Sequence, residues 1–486
     1  MKPMIKDVTN WRRALTELPS VQAQESLIPP ELSRIVVPVS HWQALALDTT
    51  LIIGIRGAGK SFWTAVLGDD NARGFVAQQV RSKELGEANV KIGFSIDLSG
   101  MHHPSPAKLA QLVSLGFSRT QIWKAVISRH LASTSTQTIE NLPNWDEIVK
   151  TYGDDVAFEI NIAKFDASLK QKNKTVLIIF DALDRLSKNW DDSRLWVQSL
   201  LEISLDLRSF RQIRLKLFLR PDMAEDETIW RFQDSSKLKH SAVELKWQAA
   251  DLFSIVIRWI SNHDRAGQSF RKFCSDDKLM VYKKVDNLFV ENPTENSIRQ
   301  TLEVLTGKWM GAGPKRGFCF SWIPVHLADG KLNVAPRSLL LAMKTAAEET
   351  LNKYSNYDLP IHYEGIKNGV AKASAVRVDE LTEDYPWITP LLNALEGQTV
   401  PLDITTLAAL WKGLTGSLMN SDKLPPRRFS LEFDNKKKTP ALLMDLEDLG
   451  VVYPTTDKRI NIPDIYRVGF KIGRKGGVRP IKTTRT

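Results

Sequence analysis

Gly54-Ile55-Arg56-Gly57-Ala58-Gly59-Lys60-Ser61 matches the phosphate-binding pattern G-x-x-x-x-G-K-[ST]. An apolar run at 50–53 precedes it and predicts a strand, while the apolar spacing from 61 to 67 predicts a helix that stops at Gly68. A strand, a glycine loop and a helix in this order present backbone N–H groups to phosphates. The pattern therefore predicts nucleoside triphosphate binding through Gly54, Arg56, Gly57, Ala58, Gly59, Lys60, Ser61 and Phe62.

The second half of such a site is a carboxylate at the end of a buried strand, because Mg²⁺ prefers oxygen ligands. Val176–Phe180 is a continuous apolar run that delivers Asp181 at its C-terminal end. We expect Ser61 and Asp181 to ligate Mg²⁺, Lys60 to reach the β- and γ-phosphates, and Asp184 to orient or polarise the attacking water. The alternative for 176–184 is a core strand followed by a turn rich in Asp.

The run Asp181-Ala182-Leu183-Asp184-Arg185 resembles the Walker B form of the STAND ATPases (signal-transduction ATPases with numerous domains) and their prokaryotic relatives. In that form a small residue follows the Mg²⁺ aspartate, and an acid follows two positions later. Ala182 and Asp184 match, whereas Arg185 stands where many STAND proteins carry a second acid. The origin-recognition branch of the AAA+ ATPases shares much of this layout. The resemblance implies ATP as the nucleotide and hydrolysis as the reaction.

Two arginines extend the resemblance. The run 213–219 predicts another strand, and Arg220 follows it where such ATPases place a residue that senses the γ-phosphate. The segment 243–247 resembles the last core strand before a helical lid. Arg337 follows Pro336 at the start of a helix predicted to reach about Thr350, and this pair resembles the second sensor of AAA+ lids. The alternative for each arginine is a solvated end of a helix or strand.

These motifs predict an α/β fold: a P-loop NTPase of the AAA+/STAND type with a mostly parallel sheet, followed by a helical lid and a winged-helix domain. The strands are expected near 50–55, 90–96, 175–180 and 213–219. The long excursion between the second and third strands can carry a partner surface or a helix packed on the sheet. The predicted domains are an N-terminal arm (1–45), a P-loop ATPase domain (46–250, with the excursion at about 100–153), a helical lid (251–375), a winged-helix-like domain (376–470) and a basic tail (471–486).

Basic charge is concentrated near the C-terminus. The segment 401–486 contains 16 Lys and Arg against 9 Asp and Glu, which supplies +7 of the formal net charge of +10. Its basic residues can meet DNA phosphates, or they can serve protein interaction or plain solvation. The helix predicted before Gly450 carries three acids, which make a poor face for a major groove. The basic groups are Arg427-Arg428, Lys436-Lys437-Lys438, and the tail residues Lys471, Arg474, Lys475, Arg479, Lys482 and Arg485.

Length and composition fit a multidomain globular protein. The chain has 486 residues, 43% of them hydrophobic and 25% charged, so a sizeable buried core is available. Its two cysteines, Cys274 and Cys319, are too few for a disulfide framework, and we expect two buried thiols. No run of eighteen apolar residues appears, so we expect a cytoplasmic protein without a membrane partner.

The sequence contains no recognisable effector signature. The leading hypothesis is a regulatory ATPase that forms homo-oligomers and controls a separate effector, for which a nuclease is one candidate. In bacteria, STAND-like proteins of this shape are often parts of anti-phage defence systems, and the resemblance implies that role. The alternative is a DNA-associated AAA+-like ATPase that uses its winged helix and basic tail to load or remodel a complex. A third possibility is that the nucleotide is a structural ligand with negligible turnover.

Overall fold

The computed structural model describes the chain apart from residues 1–4, 20–26, 97–99, 101, 133–143, 188, 286–287, 292, 413, 415–440 and 475–486. The chain divides into two compact units. The first, here called the sheet unit, is Gln22–Lys246. The second, the helical unit, combines Met1–Val21 with Trp247–Thr486. The chain therefore crosses between units at about 21–22 and again at 246–247.

The N-terminal helix α1, Ile5–Thr16, belongs to the helical unit. Trp11, Ala14 and Leu15 are buried in the core of that unit, and Arg12 donates hydrogen bonds to four backbone carbonyls between residues 355 and 360. The segment 1–45 is thus not one arm beside the ATPase domain. Helix α1 buries its apolar face in the helical unit, whereas residues 22–45 belong to the sheet unit.

The sheet unit is built on five parallel strands in the order β2-β3-β4-β1-β5. This arrangement confirms the predicted α/β fold with a mostly parallel sheet. Helices alternate with the strands along the chain. The strands are β1 Leu51–Ile53, β2 Asn89–Phe94, β3 Val176–Phe180, β4 Ile213–Leu219 and β5 Val243–Glu244. The helices are α2 Trp42–Leu45, α3 Lys60–Gly68, α4 Asp70–Gln79, α5 Lys83–Glu87, α6 Pro106–Ser114, α7 Arg119–Ala132, α8 Trp145–Tyr152, α9 Asp155–Gln171, α10 Trp190–Asp206, α11 Pro221–Ala224 and α12 Ser235–His240.

Strand β3 lies inside the sheet, and all five of its residues are buried. Helix α7, from the excursion, packs on this part of the sheet through Trp123, whose ring lies 5.5 Å from that of Phe180 and 5.3 Å from that of Trp196. The indole N–H of Trp123 donates to the backbone oxygen of Trp196 at 3.0 Å. Of the two interpretations of the excursion, the described part supports a helix packed on the sheet.

The helical unit has one apolar core that extends from α1 to Ile472. The predicted boundary at 375/376 falls inside α18, which continues unbroken for 22 residues. The helices after α12 are α13 Ala249–Ser261, α14 Gly267–Asp276, α15 Glu295–Thr306, α16 Cys319–Leu327, α17 Pro336–Lys353, α18 Tyr363–Asp384, α19 Ile388–Asn393, α20 Ile404–Trp411, α21 Ala441–Asp448 and α22 Asp464–Arg467. The strands are β6 Tyr282–Val285, β7 Leu288–Glu291, β8 Thr399–Val400, β9 Tyr453–Pro454, β10 Ile460–Asn461 and β11 Gly473–Arg474.

The C-terminal part of this unit has the predicted winged-helix order. Helix α21 ends before Gly450, and β9 and β10 then pair antiparallel as the wing. Strand β11 pairs in parallel with β8. Asp445, one of the acids of α21, is buried. The predicted basic clusters at 427–428 and 436–438, and the tail from 475 onward, lie outside the described residues.

Both cysteines are buried free thiols in the helical unit: Cys274 on α14 and Cys319 at the start of α16. Burial raises the pKa of Cys274 to about 12 and that of Cys319 to about 11, because the thiolate loses solvation. Among the described residues, no helix combines the length and apolar character that crossing a membrane requires.

Candidate nucleotide site

The glycine loop leaves β1 at the C-terminal edge of the sheet. Gly54 N donates to Leu219 O at 3.0 Å, which ties the start of the loop to the end of β4. Gly57 has φ of 82° and Gly59 has φ of 104°, the left-handed region that glycine adopts without a Cβ penalty. Gly59 is the N-cap of the nine-residue helix α3. The backbone N–H groups of this turn and the helix dipole favour an anion.

The side chain of Lys60 folds back onto the glycine loop that precedes it in sequence. Its ammonium donates to Gly54 O at 2.7 Å and to Ile55 O at 3.1 Å. Burial lowers the pKa of Lys60 to about 8, although Asp184 and Asp181 raise it. The charged side chains that act on the Lys60 ammonium are those of Asp181, Asp184, Arg220 and Asp222. The structure therefore brings the predicted catalytic residues together at one edge of the sheet.

Asp181 has the properties expected of a cation ligand. Its residue is 1% exposed, and neither carboxylate oxygen has a hydrogen-bond partner at good distance and angle among the described residues. Burial raises the pKa of Asp181, and the neighbouring Ser61 hydroxyl and Lys60 lower it. Burying a carboxylate that lacks well-formed hydrogen bonds costs folding free energy. A Mg²⁺ ion held by Asp181 and Ser61 fits these residues, since Mg²⁺ takes few protein ligands and keeps several waters.

Asp184 and Arg220 form an ion pair beside this carboxylate. Arg220 Nη1 lies 3.3 Å from Asp184 Oδ2, and Arg220 Nε lies 3.3 Å from Asp222 Oδ1. Burial raises the pKa of Asp184, but the charges of Arg220 and Lys60 outweigh it and hold the pKa below its ordinary value. Asp184 is thus an ionised acceptor at neutral pH. Asp222, which holds the second side of Arg220, is a residue to which the sequence analysis gave no role.

The turn between Asp181 and Asp184 depends on Ala182. Its φ of 54° and ψ of 34° lie in the left-handed region, which costs a residue with a Cβ about 1–2 kcal/mol. The turn then continues through the short 3₁₀ helix Leu183–Arg185, with Arg185 N donating to Ala182 O at 2.9 Å. A small residue after Asp181 suits this turn, while Arg185 itself is exposed.

A second group, which the sequence did not reveal, links α3 to the end of the sheet unit. Trp63 Nε1 donates to His41 Nδ1 at 3.2 Å, and His41 Nε2 lies 3.2 Å from Lys246 O. Ser40 Oγ donates to the same carbonyl at 3.1 Å. Burial lowers the pKa of His41 to about 4, so its ring is neutral and donates from Nε2 while Nδ1 accepts. Lys246 is the last residue of the sheet unit.

Arg337, the predicted second sensor, belongs to the helical unit and is the second residue of α17. Its Nη1 lies 2.8 Å from Glu380 Oε1 on α18, and Arg377 Nη1 lies 3.0 Å from the other oxygen of Glu380. The contact of Arg337 with nucleotide stays a prediction.

The loop, the buried aspartate and the parallel sheet define a P-loop NTPase fold. No protein-family model matches the chain, and no curated protein matches it. Among solved structures, the ORC2 protein of Aeropyrum pernix in ADPNP–ADP complexes aligns with a TM-score of 0.41 and 12% identity, over 90% of this chain and 92% of that one. The ORC1 protein of the same organism in complex with DNA gives 0.35 and 15%, over 92% and 94%. At these scores the likeness assigns no function to this chain.

Proposed function

We propose that this protein is a Mg²⁺-dependent ATPase that works as a molecular switch. The observation that carries the proposal is the convergence of a phosphate loop, a buried carboxylate whose oxygens make no well-formed hydrogen bond among the described residues, and an Arg–Asp pair at one edge of the sheet. The loop residues Gly54 to Phe62 bind the phosphates, and Ser61 and Asp181 hold the Mg²⁺. The bound ion supplies charge stabilisation to the phosphate oxygens.

Asp184 orients the attacking water. Its depressed pKa makes it a weak base but a permanent hydrogen-bond acceptor, which suits positioning and polarising water better than removing a proton outright. Arg220 senses the γ-phosphate. Its contacts with Asp184 and Asp222 are long for charge-assisted hydrogen bonds, so a phosphate oxygen can replace one of them. That exchange would release Asp184 toward water when the triphosphate is present.

The hydrogen bonds from Trp63 through His41 to Lys246 connect the phosphate loop to the end of the sheet unit. Trp63 follows the loop by two residues within α3, and Lys246 O lies at the point where the chain passes to the helical unit. We infer that phosphate binding at the loop biases the backbone at this joint. The nucleotide state would then change the helical unit's readiness to bind a partner.

For the output we keep two candidates. The first is the switch that forms homo-oligomers and controls a separate effector, with anti-phage defence as the biological role; this rests on the STAND resemblance of 181–185. The second is a DNA-associated ATPase that loads or remodels a complex. The order of α20, α21 and the β9–β10 hairpin, together with the net charge of +7 over 401–486, favours the second.

The first test is nucleotide binding. Lys60→Ala removes the ammonium that meets the β- and γ-phosphates, and we expect ATP binding measured by titration calorimetry to fall at least about 100-fold. Lys174→Ala, at an exposed turn of the same unit, is the matched control and should leave affinity unchanged. Equal ATP affinity of Lys60→Ala and wild type would remove the loop from the nucleotide site.

The second test separates the outputs by measuring molecular mass in solution without nucleotide, with ATP and Mg²⁺, and with duplex DNA added. Assembly that needs ATP and ignores DNA supports the effector-controlling switch. Assembly that appears only on DNA supports the DNA-associated ATPase. An unchanged mass in all three conditions contradicts an oligomer-forming switch and leaves nucleotide as a structural ligand.

A further inference from the structure

A short hairpin in the helical unit carries features that the ATPase site does not use. Trp309 and Phe318 pair as an antiparallel β-bridge. The segment from Trp309 to Phe318 is here called the 309–318 loop. Met310 N donates to Gly317 O at 3.0 Å, and Cys319 N donates to Lys308 O at 3.1 Å. The tip is a 3₁₀ turn over Pro314–Arg316.

The loop is held in one shape by its glycines and proline. Gly317 has φ of 91°, and a Cβ there would lie 3.2 Å from Trp322 Cδ1. Gly311 has φ of 153°, and a Cβ there would lie 3.0 Å from Arg316 Cγ, so the stem of Arg316 lies over this glycine. Pro314 fixes one further backbone angle. A loop ordered before binding loses little conformational entropy when it meets a partner.

The charge of the loop has one sign. Lys308, Lys315 and Arg316 are exposed, and within the described residues none of the three takes part in an ion pair. No acidic residue occurs between 304 and 328; Glu303 and Asp329 are the nearest acids along the chain. Three exposed cations without acidic neighbours in sequence make a local site for a polyanion.

Two aromatic rings, those of Trp309 and Phe318, lie beside Lys308. Phe318 is 46% exposed although it is a large apolar side chain, and its ring centroid lies 4.2 Å from that of Trp309. The Lys308 ammonium lies 5.1 Å from the Trp309 ring and 5.8 Å from the Phe318 ring. An ordered, exposed ring with a cation beside it can bind an unpaired base, because every base has a face that can stack.

We propose that the 309–318 loop binds single-stranded nucleic acid, with phosphates on Lys315 and Arg316 and a base stacked on Phe318. A duplex hides its base faces, so it would use only the cations. This site goes beyond the proposed ATPase function and does not depend on it, and binding to it is measurable without nucleotide.

The charge part is tested on the full-length protein with a fluorescein-labelled single-stranded oligonucleotide, by anisotropy at several salt concentrations. Lys315→Glu/Arg316→Glu should weaken binding about 10-fold or more and lower the slope of log K against log salt by about 1 to 2. Lys283→Glu/Lys284→Glu makes the same charge change on two exposed residues of β6 and is the control. Unchanged binding by the first variant, or equal loss in both, overturns the proposal.

The stacking part is tested with Phe318→Ala and Phe318→Tyr. The first should weaken binding of the single strand about 10-fold and leave binding of the matching duplex unchanged, while the second keeps a ring and should restore affinity. Circular dichroism and ATP turnover of each variant show whether the fold and the ATPase site are intact. Undiminished single-strand binding by Phe318→Ala, or tighter wild-type binding of duplex than of single strand, contradicts the assignment.

Discussion

At the scale of single residues, the surroundings of Lys60 determine the pKa of its ammonium group. Burial lowers its pKa to about 8, while Asp184 and Asp181 act in the opposite direction. The charged ammonium is the form that binds phosphate. In the nucleotide-free protein this form predominates below pH 8 and is lost as the pH rises through that value.

We therefore predict that ATP affinity falls as the pH is raised from 7.5 to 9, by up to about tenfold per pH unit above the pKa. Titration calorimetry at constant ionic strength measures it. Lys60→Arg keeps its charge throughout and should bind more weakly but with a flat profile. A flat profile in the wild type would show that the Lys60 amine does not titrate in this range.

The sequence predicts site roles for Lys60, Ser61, Asp181, Asp184 and Arg220, because phosphate and metal chemistry require those residue types at fixed spacing or at strand ends. It predicts no role for Asp222, which contacts Arg220, or for the hydrogen-bonded pair His41 and Trp63. Their partners are set by the fold: Lys246 O, which His41 contacts, is 205 residues away in sequence. No local pattern encodes such a contact.

At the scale of secondary-structure elements, Lys216 joins β4 to the segment before β1. It is fully buried, and its ammonium donates to Ala44 O and Ala46 O at 2.8 Å and to Thr49 O at 2.9 Å. Burial lowers its pKa to about 7. The three carbonyls lie at and just after the C-terminal end of α2, where helix carbonyls lack internal partners.

Lys216→Met should destabilise the protein by about 2–4 kcal/mol, because three backbone carbonyls lose the ammonium that donates to them, although Ala46 O still accepts from Thr49 N. Urea unfolding of the full chain measures the change. Lys174→Met, the same substitution at an exposed turn, should stay within about 0.5 kcal/mol of wild type. Equal stability of the two variants would mean that the Lys216 contacts contribute nothing measurable.

Helices α17 and α18 approach each other through glycine. A Cβ at Gly365 would lie 2.6 Å from Ala346 O, and a Cβ at Gly369 would overlap the carbonyl of Ala342. Gly369→Ala should therefore destabilise by about 1–3 kcal/mol, since backbone must move. Gly74→Ala in α4 meets no atom within 4 Å and should stabilise by about 0.5–1 kcal/mol. Thermal unfolding of both variants gives the signs, and the same sign for both would contradict the close approach.

Elements were predictable where burial leaves a local pattern. Strands β1 to β4 were expected within a few residues of their observed bounds. For β1 and β3 the reason is a continuous apolar run, which marks a strand buried on both faces. The placement of α1 was not predictable. Its partners are residues such as Trp259, whose Nε1 donates to Ala14 O across 245 positions in sequence, and Pro360, bound by Arg12 across 348.

At the scale of the whole molecule, the chain forms two units, and the residues proposed to bind nucleotide around Lys60 and Asp181 lie in the sheet unit. We propose, as the central claim, that the cluster around Lys60 hydrolyses ATP and that Asp184 orients the attacking water. Binding alone would be compatible with a structural nucleotide, so hydrolysis in a variant that still binds is the deciding property.

The most direct measurement is phosphate release from ATP and Mg²⁺ by wild type and Asp184→Asn, with ATP affinity measured in parallel. We predict turnover by wild type and a loss of about 10²–10⁴-fold in Asp184→Asn, at an affinity within a few fold of wild type. Asp191→Asn, the same change at a residue whose side chain is 83% exposed, should turn over normally. Unchanged turnover in Asp184→Asn would contradict the central claim, as would a wild-type protein that binds ATP and releases no phosphate.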